Sequence, residues 1–94
     1  MTMATEAFRL TNVAAGTYTF TLLGGVYAWD TKSTGSGTVD LKIIAGDNTT
    51  AIAVATQITA TSGFQSPMYL PPGNYEIVIA TFTANYVVVA RVPI

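Results

Sequence analysis

The 94-residue chain contains no cysteine and no histidine. These two absences exclude disulfide bonds, thiolate zinc sites, cysteine nucleophiles and every catalytic triad that uses histidine as its base. Charged residues are also scarce, at 10% of the chain, against about 25% in ordinary globular domains. A nucleic-acid-binding domain would carry a clustered excess of Lys and Arg, whereas the net charge here is −1. We therefore expect no enzyme, no cofactor and no nucleic-acid partner.

Long apolar runs and targeting features are missing as well. The uninterrupted apolar runs reach five residues at most, as in residues 86–90, which is much shorter than the ~20 residues that a membrane-spanning helix requires. Residues 1–6 include an acidic side chain and no basic one, unlike a secretory signal. The length is that of one domain. We predict a single domain over residues 1–94, with residues 1–5 as a flexible N-terminal arm and no membrane partner.

Threonine and alanine are abundant instead. Sixteen threonines and thirteen alanines take up much of the space that Lys and Glu occupy in other proteins. A surface that is polar but nearly uncharged favours association. A domain this small, without a disulfide or metal, also gains stability by oligomerisation. The composition therefore favours a protein that packs against other protein.

Alternation of apolar and polar residues, which is typical of half-buried strands, dominates the pattern. It is clearest in residues 17–22, 39–43 and 75–79. Residues 49–60 suit either a strand or a short alanine-rich helix, and their β-branched residues favour a strand. Turn residues recur at spacings of about 8–12 residues. We predict an all-β fold, a compact single-domain β-sandwich or jelly-roll-like barrel of about 7–9 short antiparallel strands.

Two adjacent glycines, Gly24 and Gly25, separate two alternating runs. Their position predicts a tight hairpin in which Leu22 faces Tyr27. The alternative is a wider turn that places the two runs in different sheets.

Three further segments are predicted to lie between strands. Residues 31–37 contain no apolar side chain, and residues 61–67 contain one large aromatic, Phe64, at their centre; both predict loops. Residues 70–74 (LPPGN) predict a turn, because their prolines remove backbone donors and a strand must begin after them.

The acidic residues offer little catalytic chemistry. They are Glu6, Asp30, Asp40, Asp47 and Glu76. Asp40 and Glu76 alternate with apolar residues and are interpreted as solvated strand charges. Asp47 lies in a Gly-Asp-Asn turn, where Asp commonly binds its own backbone. A calcium ion near Asp47 is the alternative, although the spaced acidic ligands of a calcium loop are missing.

Aromatic residues supply the other candidate site. Tyr27, Trp29 and Tyr69 are the residue types of a sugar-binding platform. Tyr27 and Trp29 alternate with small residues, however, so we predict that both belong to the core. Phe64 lies in a predicted loop and Tyr69 next to a predicted turn, where aromatics serve either for binding or for closing the end of a barrel.

Four blocks of the sequence together resemble the small head decoration, or cement, proteins of tailed bacteriophages. The blocks are residues 25–29 (GVYAW), 37–44 (GTVDLKII), 70–75 (LPPGNY) and 86–93 (YVVVARVP). The resemblance implies a small β-sandwich or jelly roll that binds the major capsid protein on the outer surface of an assembled head, often as a homotrimer. It also implies a virion location after synthesis in the host cytoplasm, and no enzymatic activity.

Two sets of residues are candidates for these contacts. The predicted capsid contacts are the terminal residues Met1, Thr2, Met3, Ala4, Thr5, Pro93 and Ile94, with residues 31–37 as a further candidate segment. Val78, Val87 and Val89 are predicted to lie off the core face and to form the trimer seam. For the last strand, whose two faces are both apolar, the alternative is a central strand of a covered sheet.

Two other functions remain open at this point. One is a carbohydrate-binding or receptor-binding module, which requires aromatic side chains on the surface. The other is a structural component of a phage tail or fibre, which differs from a head protein in its copy number per particle.

Overall fold

The computed structural model of the chain describes residues 6–92. Eight strands follow one another: β1 (Ala7–Val13), β2 (Gly16–Leu22), β3 (Gly25–Thr34), β4 (Thr38–Ile44), β5 (Ala51–Ala53), β6 (Ser62–Leu70), β7 (Gly73–Ala80) and β8 (Thr83–Arg91). Over this described range, no helix is long and apolar enough to cross a membrane.

The strands pair as a nested series in which the first meets the last. β1 pairs with β8, β2 with β7, β3 with β6 and β4 with β5, all antiparallel. Further pairing of β3 with β8 and of β4 with β7 joins these ribbons. The result is sheet 1, in the order β1-β8-β3-β6, and sheet 2, in the order β2-β7-β4-β5. This is an eight-stranded jelly roll, so the predicted all-β sandwich is confirmed.

The core lies between the two sheets and follows the alternation in the sequence. Val39 and Leu41 of β4 and Tyr75 and Ile77 of β7 are fully buried, as expected from their spacing. Trp29 and Tyr27 of sheet 1, the two largest fully buried side chains, face them. Trp29 Nε1 donates a hydrogen bond to Gln65 Oε1 at 3.0 Å. Tyr27 and Trp29 are thus core residues, as predicted.

The predicted Gly24-Gly25 hairpin is wrong, and the alternative is correct. β2 belongs to sheet 2 and β3 to sheet 1, so the two glycines carry the chain from one sheet to the other. Leu22 and Tyr27 still both point into the core. Alternation reports which side of a strand is buried, but it does not report which strand lies beside it.

Two segments predicted as loops are largely strand. Residues 31–34 extend β3, with Thr31 and Ser33 turned into the core, and most of residues 61–67 belong to β6. β6 is an edge strand with a bulge opposite Tyr27 and Trp29, and such strands accept proline. The inward-facing residues in this part of β3, Thr31 and Ser33, are small and polar. Hydrophobicity in the sequence therefore does not identify them as core positions.

Other local predictions agree with the structure. Residues 49–60 contain the short strand β5 and a single bridge between Ile58 and Val39. The turn after Leu70 lies between β6 and β7, and the Tyr75 hydroxyl donates a hydrogen bond to the Pro71 carbonyl. A tyrosine bonded to the backbone a few residues upstream is a common stabiliser of sandwich corners.

The predicted position of two seam residues needs correction. Val87 and Val89 are fully buried in the core, because β8 lies in the middle of sheet 1 and these residues face sheet 2. They are therefore not off the core face. Val78 does lie on the outer side of sheet 2, between Thr17 and Asp40 in register, and is half-buried.

Candidate binding surface

The two ends of the described chain meet at one end of sheet 1. Ala7 and Ala90 face each other across β1 and β8. The Arg91 amide donates to the Glu6 carbonyl at 2.7 Å, and the Val92 amide donates to the Val26 carbonyl at 2.8 Å. The predicted capsid-contact residues Met1, Thr2, Met3, Ala4, Thr5, Pro93 and Ile94 lie outside the described residues. Their points of attachment, Glu6 and Val92, are adjacent, and we call this region the termini end.

A buried tyrosine and a carboxylate hold the termini end together. The Glu6 carboxylate accepts hydrogen bonds from the Tyr27 hydroxyl and, at 3.0 Å, from the Leu23 amide. The Gly24 amide in turn donates to the Tyr27 hydroxyl at 3.1 Å. Burial, with the hydrogen bond to Glu6 as a smaller cause, raises the pKa of Tyr27 to about 12. At neutral pH Tyr27 is therefore a protonated donor to Glu6.

Arg91 ties the same turn to β8. Its Nη2 donates to the Gly24 carbonyl at 2.6 Å. The guanidinium lies close to Gly25, where a Cβ would be 2.8 Å from Nε. The φ of Gly25 is 142°, a backbone conformation that favours glycine. The backbone from which residues 1–5 and 93–94 continue is thus fixed to the β2–β3 turn by polar contacts on both sides.

Two large apolar side chains are exposed at the termini end. Leu23 in the turn is 75% exposed, and Tyr69 on β6 is 79% exposed. Tyr69 is opposite Val26 in register, and Val26 is bonded to Val92. Exposed apolar side chains next to the attachment points of both terminal segments form a surface suited to adhesion.

The outer side of sheet 1, which faces away from sheet 2, is mostly apolar. It carries Phe64, 68% exposed, and Tyr86, 43% exposed. Its charged members are Arg9, Asp30 and Lys32. Strand register places the following residues on this side: Ala7, Arg9, Val26, Ala28, Asp30, Lys32, Ser62, Phe64, Tyr69, Tyr86, Val88 and Ala90. We call this set the outer face of sheet 1.

The outer side of sheet 2 has a different character. Thr17, Thr19 and Thr21 line edge strand β2, and Glu76 and Lys42 face each other on the two inner strands. An open groove of about 600 Å³ lies over this region and is bordered by Thr19, Thr21, Asn48, Thr49, Asn74 and Glu76 among others. Phe20, Ile44 and Tyr75 also line the groove, so its surface is mixed polar and apolar, and Glu76 supplies its carboxylate.

Asp40 and Asp47 each accept hydrogen bonds from nearby residues. Asp40 accepts a hydrogen bond from Gln57 Nε2 at 3.0 Å. Asp47 accepts from the Thr49 and Thr50 amides at 3.0 and 2.9 Å, which is the backbone capping predicted for its turn. Between residues 6 and 92, no three acidic side chains come together as a set of metal ligands.

Comparison with protein-family models, curated proteins and solved structures returned no match to this chain.

Proposed function

We propose that this protein is a structural virion protein that binds the outer surface of an assembled phage head and stabilises it. One observation supports this most. The two terminal segments predicted to contact the major capsid protein attach side by side, next to the exposed Leu23 and Tyr69. A single end of the molecule thus holds Glu6 and Val92, to which the two terminal segments attach, together with an apolar contact surface.

The local structure suits attachment through this end. Glu6 and Arg91 bind the β2–β3 turn from two sides, so the chain is held rigidly up to the residue where each terminal segment begins. A rigid anchor lowers the entropy that this part of the surface loses on binding. The scarcity of charge also lowers the desolvation cost of covering this surface with another protein.

Stabilisation of the head follows from binding alone. A ligand that binds only the assembled shell stabilises it by RT ln(1 + [L]/Kd), which is about 2.7 kcal/mol per site at a free concentration of 100 Kd. A shell contains many equivalent sites, so these contributions accumulate. Self-association of the decoration protein would add avidity without a new type of contact.

Purified particles test the location. Quantitative mass spectrometry of virions should find this chain at hundreds of copies per particle, in a fixed ratio to the major capsid protein. A few copies per particle would instead indicate a tail or fibre component, and absence from the particles would refute the proposal.

Rebinding to heads that lack the protein tests the surface. Leu23→Ser and Tyr69→Ala should each weaken binding at least several-fold and lower the temperature at which the decorated heads break open. Ile52→Ser is the matched control, since Ile52 is an exposed apolar residue on β5, at the edge of sheet 2. Equal binding by all three variants would exclude the termini end as the contact.

The exposure of Tyr69 also favours a second function, carbohydrate or receptor binding. Tyr27 and Trp29, the other two aromatics of the predicted sugar-binding platform, are fully buried, so the platform would have to use Tyr69 and Phe64. Glycan-array binding that is lost in Tyr69→Ala, with no binding to undecorated heads, would establish this function in place of decoration.

A further inference from the structure

One row of residues on the outer face of sheet 1 carries a positive charge on one side of β8 and a negative charge on the other. Strand register aligns Arg9 of β1, Val88 of β8, Asp30 of β3 and Phe64 of β6 side by side. Arg9 and Asp30 are both exposed, and Val88 between them is half-buried. Neighbouring strands are about 4.8 Å apart, so the backbone positions of Arg9 and Asp30 are about 10 Å apart with an apolar residue midway.

This row is complementary to itself under one particular rotation. A two-fold axis that runs along β8 and over Val88 turns a second copy face to face with the first. The rotation exchanges the two sides of β8, which brings Arg9 of each copy opposite Asp30 of the other and Val88 opposite Val88. An axis across the strands would instead place Arg9 against Arg9, so the charge pattern selects the axis along β8.

The neighbouring row permits close approach of the two copies. Ala7, Ala90 and Ala28 lie side by side on β1, β8 and β3, and their small side chains leave the backbone accessible. Stacked sheets keep their strands within about 30° of each other. At that angle the long Arg9 side chain still reaches the carboxylate of Asp30 in the other copy.

We propose that two copies of this chain pair face to face through the outer face of sheet 1, with reciprocal Arg9–Asp30 ion pairs on either side of Val88. The pairing does not depend on the proposed role on a phage head. It also differs from the homotrimer that the family resemblance implies, and a measurement of mass separates the two.

Sedimentation equilibrium of the intact protein, at concentrations up to several hundred micromolar, tests the pairing. The monomer mass is 9.9 kDa, so the dimer is expected at twice that value and a trimer at three times. Arg9→Glu and Asp30→Lys should each raise the dimer Kd by about ten-fold or more, because each places like charges opposite each other at two symmetric positions. Circular dichroism and thermal unfolding will show that these exposed substitutions leave the fold intact.

Two control variants match these changes in net charge. Lys42→Glu and Asp40→Lys reverse charges of the same sign on the outer side of sheet 2, and both should dimerise like the unmodified protein. If they weaken association as much as Arg9→Glu and Asp30→Lys do, net charge and not this face governs the effect.

Mixing the two variants gives the decisive result. In a heterodimer of Arg9→Glu with Asp30→Lys, the introduced glutamate of one copy faces the introduced lysine of the other. The unchanged Asp30 and the unchanged Arg9 form the second pair, so both pairs are attractive again. We expect the equimolar mixture to recover the dimer mass that each variant alone has lost. Failure to recover it, a trimer mass, or a monomer at all concentrations would each overturn the proposal.

Discussion

The hydroxyl of Tyr27, buried beneath the β2–β3 turn, donates a hydrogen bond to the carboxylate of Glu6, twenty-one positions earlier in the chain. The bond joins β3 to the residue that precedes β1. It also leaves the Tyr27 proton in a site where its loss would place a phenolate beside a carboxylate.

This contact makes stability sensitive to alkaline pH. The pKa of Tyr27 is raised from 10.0 to about 12 in the folded protein, mainly by burial. The folded state therefore keeps the proton more tightly, and its stabilising effect is complete below pH 10 and lost as the pH rises toward 12. Tyr27→Phe should reduce this loss in urea unfolding measured from pH 8 to 11.5. Burial also raises the pKa of Tyr75, so a smaller slope should remain, and an unchanged slope would contradict the assignment to Tyr27.

Stability should also fall at acid pH, because of a carboxylate in the β4–β5 turn. Hydrogen bonds from the Thr50 hydroxyl, the Thr50 amide and the Thr49 amide lower the pKa of Asp47 from 3.8 to about 2. The stabilising contribution of the ionised Asp47 to the folded state is therefore present above pH 4 and is lost as the pH falls to 2. Asp47→Asn should flatten that part of the stability profile, and Thr50→Val, which removes one donor, should flatten it partly. Identical profiles for all three proteins would refute this account.

Gly37 is predicted to tolerate no side chain. A Cβ at this position would be 2.0 Å from the Ala80 carbonyl oxygen and 2.7 Å from the Phe82 amide nitrogen. Because both contacts are to backbone, Gly37→Ala should lower the unfolding free energy by about 1–3 kcal/mol or more. Gly46→Ala is the control: nothing lies within 4 Å of a Cβ there, and its effect should stay within about 1 kcal/mol. Urea midpoints at constant m-value will compare the two.

The buried Asn85 is predicted to anchor the end of β1. Its Nδ2 donates to the Val13 carbonyl at 2.9 Å and to the Phe82 carbonyl at 3.0 Å. Asn85→Ala leaves both carbonyls without this donor and opens a cavity, so it should cost about 2–4 kcal/mol in thermal or urea unfolding. Asn74→Ala, at an exposed position of β7, should change stability by about 0.5 kcal/mol at most. Equal losses of unfolding free energy in Asn85→Ala and Asn74→Ala would contradict the predicted anchoring role of Asn85.

The parts of the fold that can be read from sequence are those set by local alternation. Leu41 and Ile77 are predictable core residues because apolar and polar residues alternate around them. Strand partners are not readable in this way, since pairing depends on residues distant in sequence. Gly24 and Gly25 suit both a hairpin and a crossing between sheets, and only the pairing of β2 with β7 and of β3 with β8 distinguishes these.

The same limit applies to the candidate site. The terminal segments stand out in the sequence, but no local pattern shows that Glu6 meets Tyr27 or that Arg91 binds the turn at Gly24. The prediction for Val87 and Val89 is wrong because both faces of β8 are apolar, so alternation gives no direction. The row of Arg9 and Asp30 is likewise invisible until the register of three strands is known.

The hydrogen bond between the Arg91 amide and the Glu6 carbonyl has a practical consequence for engineering. The chain enters the jelly roll at Glu6 and leaves it at Val92, and these two points are neighbours. A short glycine-serine linker from Val92 to Glu6 would therefore close the domain into a ring with little distortion. New ends opened at Gly46, in the exposed β4–β5 turn, would yield a circular permutant with the same two sheets. Peptides fused directly before Glu6 and directly after Val92 would emerge together from one place, which makes the domain a compact scaffold for paired display.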